Sequence, residues 1–290
     1  MPMLFCFGLG YSARHLAEKL KKDGWQIAGT ARSADGVARI QALGFMGHVF
    51  DGSKPRPGSD PGQSAGSAVR TASHVLISAP PDGLGDPVLQ HHAEDISQSG
   101  AEWIGYLSTI GVYGDHGGAW VDEMTPAAPS SERSRRRALS EQQWLDFGRQ
   151  AGKRVEIFRL SGIYGPGSSV IDALRSGTAR SIVKKDQVFN RIHVEDIART
   201  LIAAISRPQL HPIYNVTDDE PAPPQVVNAF AAKLLGLPAP REIAFEDAEM
   251  SDMGRSFYAE NKRVRNDRIK SDLGVKLAFP TYREGLAALL

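Results

Sequence analysis

Short apolar runs alternate along this chain with longer amphipathic ones. MLFCFGL, WQIAGTA and FMGHVF are apolar through most of their length, as are HVLISA (74–79), EWIGYLS (102–108) and RVEIFRL (154–160). Between the early runs stand SARHLAEKLKKDG and ADGVARIQALG, whose apolar positions recur at helical spacing. Strands that are apolar throughout belong in a sheet buried on both faces, and strands alternating with helices build parallel sheets. The pattern predicts an α/β fold: a Rossmann-type doubly wound parallel sheet, with a smaller C-terminal substrate portion.

The segment DGSKPRPGSDPGQSAGS, from Asp51, reads as a Pro/Gly/Ser loop leading into a short polar helix. After Gly165 the periodicity loosens. YNV (214–216) returns as a last sheet strand, and PPQVVNAFAAKLLG reads as a helix with prolines at its start and Gly236 as its stop. The expected division is a dinucleotide-binding domain over 1–165, with 191–216 returning to it. Residues 166–190 and 217–290 make the smaller substrate-binding portion.

Composition adds exclusions. Of 290 residues, 41% are apolar and 23% charged, and the net charge is +1, so no global field favours nucleic acid or an anionic membrane surface. The single cysteine, Cys6, excludes an internal disulfide framework and lies in an apolar run as a small core residue. No apolar run approaches the roughly 20 residues of a membrane span. MPMLFCFGLG lacks the basic start of a signal sequence and reads as a buried strand. The expected setting is cytoplasmic, and no metal site is expected.

The candidate chemistry begins at FGLGYSARHLA. Gly8, Gly10 and Ala13 form G-x-G-x-x-A between a strand and a helix, the context a dinucleotide fingerprint requires. Gly8 makes the tight turn and Gly10 clears room for a pyrophosphate. Tyr11, Ser12 and Ala13 open the helix whose amides would receive it. An NAD site places an acid at the end of the second strand. GTARS (29–33) has none, and Arg32 with Ser33 suits a 2′-phosphate, which favours NADP over NAD. By strand order, Asp51 would meet the adenine edge, and Ser78, Ala79 and Pro80 would line the cofactor groove.

From Tyr106 onward LSTIGVYG, FRLSGIYGPG, RIHVEDIA, YNVTDD and PTYREGL occur in an order that resembles the extended branch of the short-chain dehydrogenase/reductase superfamily, the NAD-dependent epimerases and dehydratases. The glycine pattern matches an atypical subgroup. The resemblance implies three catalytic groups: a Ser or Thr after the fifth strand, a Tyr that passes the proton, and a Lys four residues later that lowers the Tyr pKa and holds the nicotinamide ribose. Thr109 matches the first. With Glu141 as the acid that commonly follows the Lys, Arg137 takes the Lys position and Arg133 the Tyr position. No Tyr lies between Gly114 and Ile163.

Arginine cannot replace that tyrosine, because a guanidinium does not release its proton in a protein. Arg137 keeps a charge that can hold ribose. Arg133 would bind an anionic substrate group, as would Arg191, which matches a family arginine near nucleotide-sugar phosphates. Tyr113 and Tyr164, in loops at strand ends, are the candidate replacement donors, and His193 reads as structural. Two functions stay open: an NADP-dependent oxidoreductase or epimerase-like enzyme acting on a small anionic sugar-like substrate, or a catalytically inactive dinucleotide-binding sensor or scaffold. Thr109, YGPG and Arg191 favour the enzyme; the missing Tyr favours the sensor. The resemblance also admits a homodimer formed through two helices per subunit.

Overall fold

The structure, a computed structural model, describes residues 1–53 and 64–290; the middle of the loop expected from Asp51 lies outside them. Strands β1 (Met3–Phe7), β2 (Gln26–Ala31), β3 (Met46–Val49), β4 (His74–Ile77) and β5 (Trp103–Thr109) alternate with helices α1 (Tyr11–Lys22), α2 (Ala34–Ala42), α3 (Ala65–Arg70) and α4 (Pro87–Ser97). Then come β6 (Trp120–Val121), α5 (Glu132–Ala151), β7 (Val155–Leu160), β8 (Gly162–Tyr164), α6 (Val170–Arg175), β9 (Ser181–Val183), β10 (Arg191–His193) and α7 (Val194–Ile205). The chain closes with β11 (Ile213–Val216), α8 (Pro224–Leu234), β12 (Glu242–Ala244), α9 (Asp252–Tyr258), β13 (Arg263–Val264), α10 (Asp267–Ser271) and α11 (Tyr282–Ala287).

Seven strands form the main sheet in the order β11-β7-β5-β4-β1-β2-β3. β1 pairs in parallel with β2 and β4, β2 with β3, and β4 with β5. The doubly wound sheet read from the sequence is present. All five residues of β1 are buried, as a central parallel strand requires. Cys6 is among them, and burial raises its thiol pKa, so it behaves as an inert core residue.

The chain folds as two compact units. The first comprises Met1–Ser108, Arg136–Phe158 and Leu201–Ile213; the second comprises Thr109–Arg135, Arg159–Thr200 and Tyr214–Leu290. This differs from the expected boundary near 165, and the second unit is no smaller than the first. The reason is that β5, α5, β7 and β11 each run out of the first unit into residues that pack with the C-terminal half. The core of the first unit gathers Phe5, Phe7, Val75, Ile77, Ile104, Tyr106, Trp144 and Ile157. The second packs Tyr164, Ile171, Val227, Ala231, Tyr282 and Leu286, and carries the parallel pairs β8–β10, β9–β12 and β6–β13.

α5 buries an unusual stripe. Ser134, Ser140, Glu141, Trp144 and Gly148 are buried, the last three at three- and four-residue spacing, and the buried face is largely polar. A Cβ at Gly148 would lie 2.7 Å from Val155 Cγ2, so glycine allows the helix to sit against β7. Among the described residues no helix is long and apolar enough to cross a membrane.

Candidate functional site

The expected cofactor residues belong to the first unit. β1 ends at Phe7, and Gly8 turns the chain at φ +85°, where an L side chain is strained. A Cβ there would also come within 3.1 Å of the Ala79 nitrogen. The Gly8 N–H donates to Thr30 Oγ1 at 2.8 Å, and the amides of Ser78 and Ala79 both donate to the Phe7 carbonyl at 2.9 Å. These bonds draw Gly8, Ser78 and Ala79 together at the ends of adjacent strands.

Gly10 differs. Its φ of −87° is open to any residue, and nothing lies within 4 Å of a Cβ built on it. The first intrahelical bond of α1 runs from Arg14 N–H to the Gly10 carbonyl at 2.8 Å, and no side chain caps this end. The amides of Ser12 and Ala13 therefore have no carbonyl within the helix to receive them. The first turn of α1 holds no acid and its last turn holds Lys19, Lys21 and Lys22, so the helix dipole favours an anion at its opening. A pyrophosphate fits this uncapped, side-chain-free turn. The Tyr11 ring packs edge-on against His15.

After β2, Arg32 is exposed and makes no hydrogen bond or ion pair among the described residues. Ser33 caps α2 by accepting the Gly36 N–H at 3.2 Å, leaving its hydroxyl proton to donate. Asp51 is exposed and accepts the Ser53 amide at 2.9 Å. Pro80 is exposed directly after Ala79.

Arg137 is held at the end of β5. Its Nη1 donates to the Leu107 carbonyl at 2.8 Å and to the Tyr106 hydroxyl at 3.2 Å, with the guanidinium 5.5 Å from the Tyr106 ring. Its remaining N–H groups are what it has for a ribose. Behind it Ser108 donates to Glu141, and Trp144 Nε1 donates to Asp86 Oδ2 at 3.0 Å. Asp86 also caps α4 through the Val88 and Leu89 amides. Burial raises the Asp86 pKa, against these bonds and the nearby Arg137 charge, which lower it. Sequence reading missed this buried polar network, because Asp86 and Trp144 stand 58 positions apart.

The second unit holds the expected substrate and catalytic residues. Thr109 caps a short 3-10 turn, Ile110–Tyr113, accepting the Gly111 N–H at 3.1 Å. Its hydroxyl proton remains available. Tyr113 does not fit the donor role. It is fully buried, its hydroxyl donates to Asn215 Oδ1 at 2.7 Å, and the Arg159 guanidinium stacks 4.8 Å from its ring. Burial pushes its pKa up, further from anything a donor needs.

Tyr164 is enclosed too, at 7% exposure. Its hydroxyl sits in a notch left by Gly285, where a Cβ would clash with it, and its ring meets His193 edge-on at 5.1 Å. Burial, then the Asp218 charge, raise its pKa. Both tyrosines are packing residues. His193 is structural as well: its Nδ1 receives the Glu195 amide at 3.2 Å and its ring lies 4.2 Å from Phe279.

Arg133 is exposed, with its guanidinium 4.8 Å above the Phe257 ring. Phe257 lines an open cavity of about 470 Å³ with Ile182, Phe189, Tyr258 and Arg180. Arg191 is committed to the fold, donating to the Phe189 and Ala222 carbonyls at 2.9 and 3.0 Å. Asp218 lies near it, 2% exposed, with its pKa pushed up to about 8 chiefly by burial. Asp196, in the first turn of α7, has a carboxylate that receives the Ala278 and Phe279 amides at 2.6 and 2.9 Å. Lys262, Arg263 and Asn266 donate to the carbonyls of Gly114, Gly118 and Thr217 and so fasten loops.

Comparison with known proteins matches this picture. Residues 92–217 fit the family model described as NAD dependent epimerase/dehydratase family. A solved structure, of a functionally unknown conserved protein from Silicibacter pomeroyi, is 47% identical over 100% of this chain and 98% of its own, with a TM-score of 0.87. Protein YeeZ of Escherichia coli is 27% identical over 97% of both chains. UDP-glucuronic acid 4-epimerase from Bacillus cereus, solved with NAD, is 16% identical, covers 99% of this chain and 95% of its own, and shares the fold at a TM-score of 0.76. With its glycine turn and its sheet order, the chain shares its fold with these proteins, and its residues 92–217 match the NAD dependent epimerase/dehydratase family.

Proposed function

We propose that the protein is an NADP-dependent oxidoreductase or epimerase-like enzyme acting on a hydroxyl or carbonyl of a small, anionic, sugar-like substrate. The observation that carries this reading is the opening of α1, uncapped and with open space where Gly10 lacks a side chain. The Bacillus cereus relative was solved with NAD. NADP is favoured here because no acid follows β2 and Arg32 is an exposed cation with no ion pair among the described residues.

When bound, the nicotinamide supplies or takes up a hydride. The chain's part is to hold the reacting oxygen and to balance the proton. Thr109 already accepts from Gly111, so its hydroxyl is left to donate to a substrate oxygen. Tyr113 and Tyr164 are enclosed, and Arg133 and Arg137 cannot release a proton. The balancing proton therefore passes directly between solvent and the reacting oxygen, and Thr109 only holds that oxygen in place. Arg133 over Phe257, with Arg180 in the same cavity lining, supports an anionic group beside a flat or apolar one.

The test is NADPH consumption by the purified chain across anionic sugar and short carbonyl panels. Turnover is expected with at least one anionic carbonyl, and Thr109→Val should lower kcat about a hundredfold while leaving the NADPH Kd unchanged. Turnover untouched by Thr109→Val would overturn the role given to Thr109. Saturable NADPH binding with no turnover on any member would favour the sensor reading.

A further inference from the structure

We propose that the substrate carries an aromatic ring next to its anionic group, and that this ring, not a nucleotide, seats in the cavity beside Arg133; this rests on the substrate reading above. Ile182, Phe189, Met250, Phe257 and Tyr258 give apolar or aromatic surface to an open cavity of about 470 Å³, inside the range of about 300–1,000 Å³ usual for small-molecule sites. Phe257 is half-exposed, and Phe189 meets Tyr258 edge-on at 5.1 Å. An incoming ring finds aromatic faces and edges there. The polar groups of the lining are largely spent within it. Arg180 Nη1 donates to the Glu249 carbonyl at 3.1 Å, Ser251 Oγ accepts the Gly254 N–H at 3.2 Å, and the Tyr258 hydroxyl turns to the Ile182 carbonyl at 3.5 Å. The Glu249 carboxylate would oppose a diphosphate placed here, and Arg191 Nη1 is committed to two carbonyls. A base, a ribose and two phosphates would lose water in this cavity with little to replace it.

The second observation joins this cavity to the reacting oxygen. The Arg133 guanidinium lies 4.8 Å over the Phe257 ring, a cation set against the cavity wall. The next residue, Ser134, is buried on the other side: a Cβ built on Gly111 would lie 2.8 Å from Ser134 Oγ and 3.4 Å from Thr109 Oγ1. Thr109, the opening of α5 and the cavity therefore follow one another within the second unit. An anion held by Arg133 has Thr109 on one side and the aromatic lining on the other. Gly254 keeps the cavity wide. A Cβ built on it would meet only Ser251 Oγ at 3.5 Å and Met250 Cβ at 3.6 Å, both ordinary contacts, so a longer side chain there fills the cavity without disturbing α9.

The experiment is calorimetric titration of the full chain with phenyl glucuronide, glucuronic acid and UDP-glucuronic acid, for the wild type, Arg133→Ala and Gly254→Leu. NADP reduction is followed with each compound, and melting curves check the fold. Phenyl glucuronide should bind the wild type about tenfold more tightly than either of the others. Gly254→Leu should abolish that advantage while leaving glucuronic acid within about twofold and Tm no lower, since leucine suits a helix better than glycine. Arg133→Ala should weaken phenyl glucuronide and glucuronic acid alike. Tightest binding by UDP-glucuronic acid, or a ring advantage that is missing or survives Gly254→Leu, would overturn the inference. Ring-selective binding lost in Gly254→Leu, with no NADP reduction on any compound, keeps the inference and ends the enzyme reading. NADP reduction without a preference for the ring ends the inference and leaves that reading standing. No saturable binding by any of the three ends the inference together with the anionic, sugar-like substrate.

Discussion

Gly8 and Gly10 stand two residues apart and are glycines for different reasons. Gly8 is required by its own backbone and by the Ala79 nitrogen beside it. Gly8→Ala should cost about 1–3 kcal/mol of stability, read as a lower midpoint in urea. Gly10 has an ordinary φ and empty surroundings, so its small size serves whatever enters that space. The tyrosines show how the setting of a single residue decides its role. Tyr113→Phe would leave Asn215 Oδ1 buried without its donor, costing about 1–3 kcal/mol in thermal or chemical unfolding. Turnover per folded molecule should change by less than about threefold. A selective loss of kcat in Tyr113→Phe, with stability intact, would return Tyr113 to the chemistry.

At the scale of elements, α7 is tied to the C-terminal segment by one carboxylate. Asp196→Ala would orphan the Ala278 and Phe279 amides and should lower stability by about 2 kcal/mol or more. Hydrogen exchange at those two amides should rise well above that of β1, and unchanged exchange would count against the brace. Such ties mark where sequence reading stops. β1, α1 and β2 were legible because apolar period, glycine turn and helix stop all act within a few residues. The buried face of α5 was not, since its stripe of Ser134, Ser140 and Glu141 is polar and Glu141 takes its partner, Ser108, from far along the chain. Tyr113 looked available for the same reason: Asn215, which takes its hydroxyl, lies 102 positions away. The glycine turn between β1 and α1 was thus readable from the chain, while the burial of Tyr113 and Tyr164 and the bonding of Arg191 needed packing.

Across the whole molecule, pH should act through Asp218. Its folded pKa is raised from 3.8 to about 8, mostly by burial, and Oδ2 lacks a hydrogen-bond partner among the described residues. Between those values the folded chain keeps a proton that the unfolded chain has lost. Stability from this site is therefore greatest at low pH, falls as pH rises from about 4 to about 8, and levels off above that. Asp218→Asn removes the dependence, so its Tm relative to wild type should climb between pH 5 and pH 8 and then level off; a constant difference would show that Asp218 ionises freely in the fold. Above every other claim stands the one that the opening of α1 holds a pyrophosphate, and the most direct measurement is calorimetric titration of NADPH into wild type and Gly10→Val. Saturable binding to the wild type, lost in a Gly10→Val variant of unchanged Tm, is the expected result. No saturable binding to the wild type, or equal binding by a folded Gly10→Val, would contradict it.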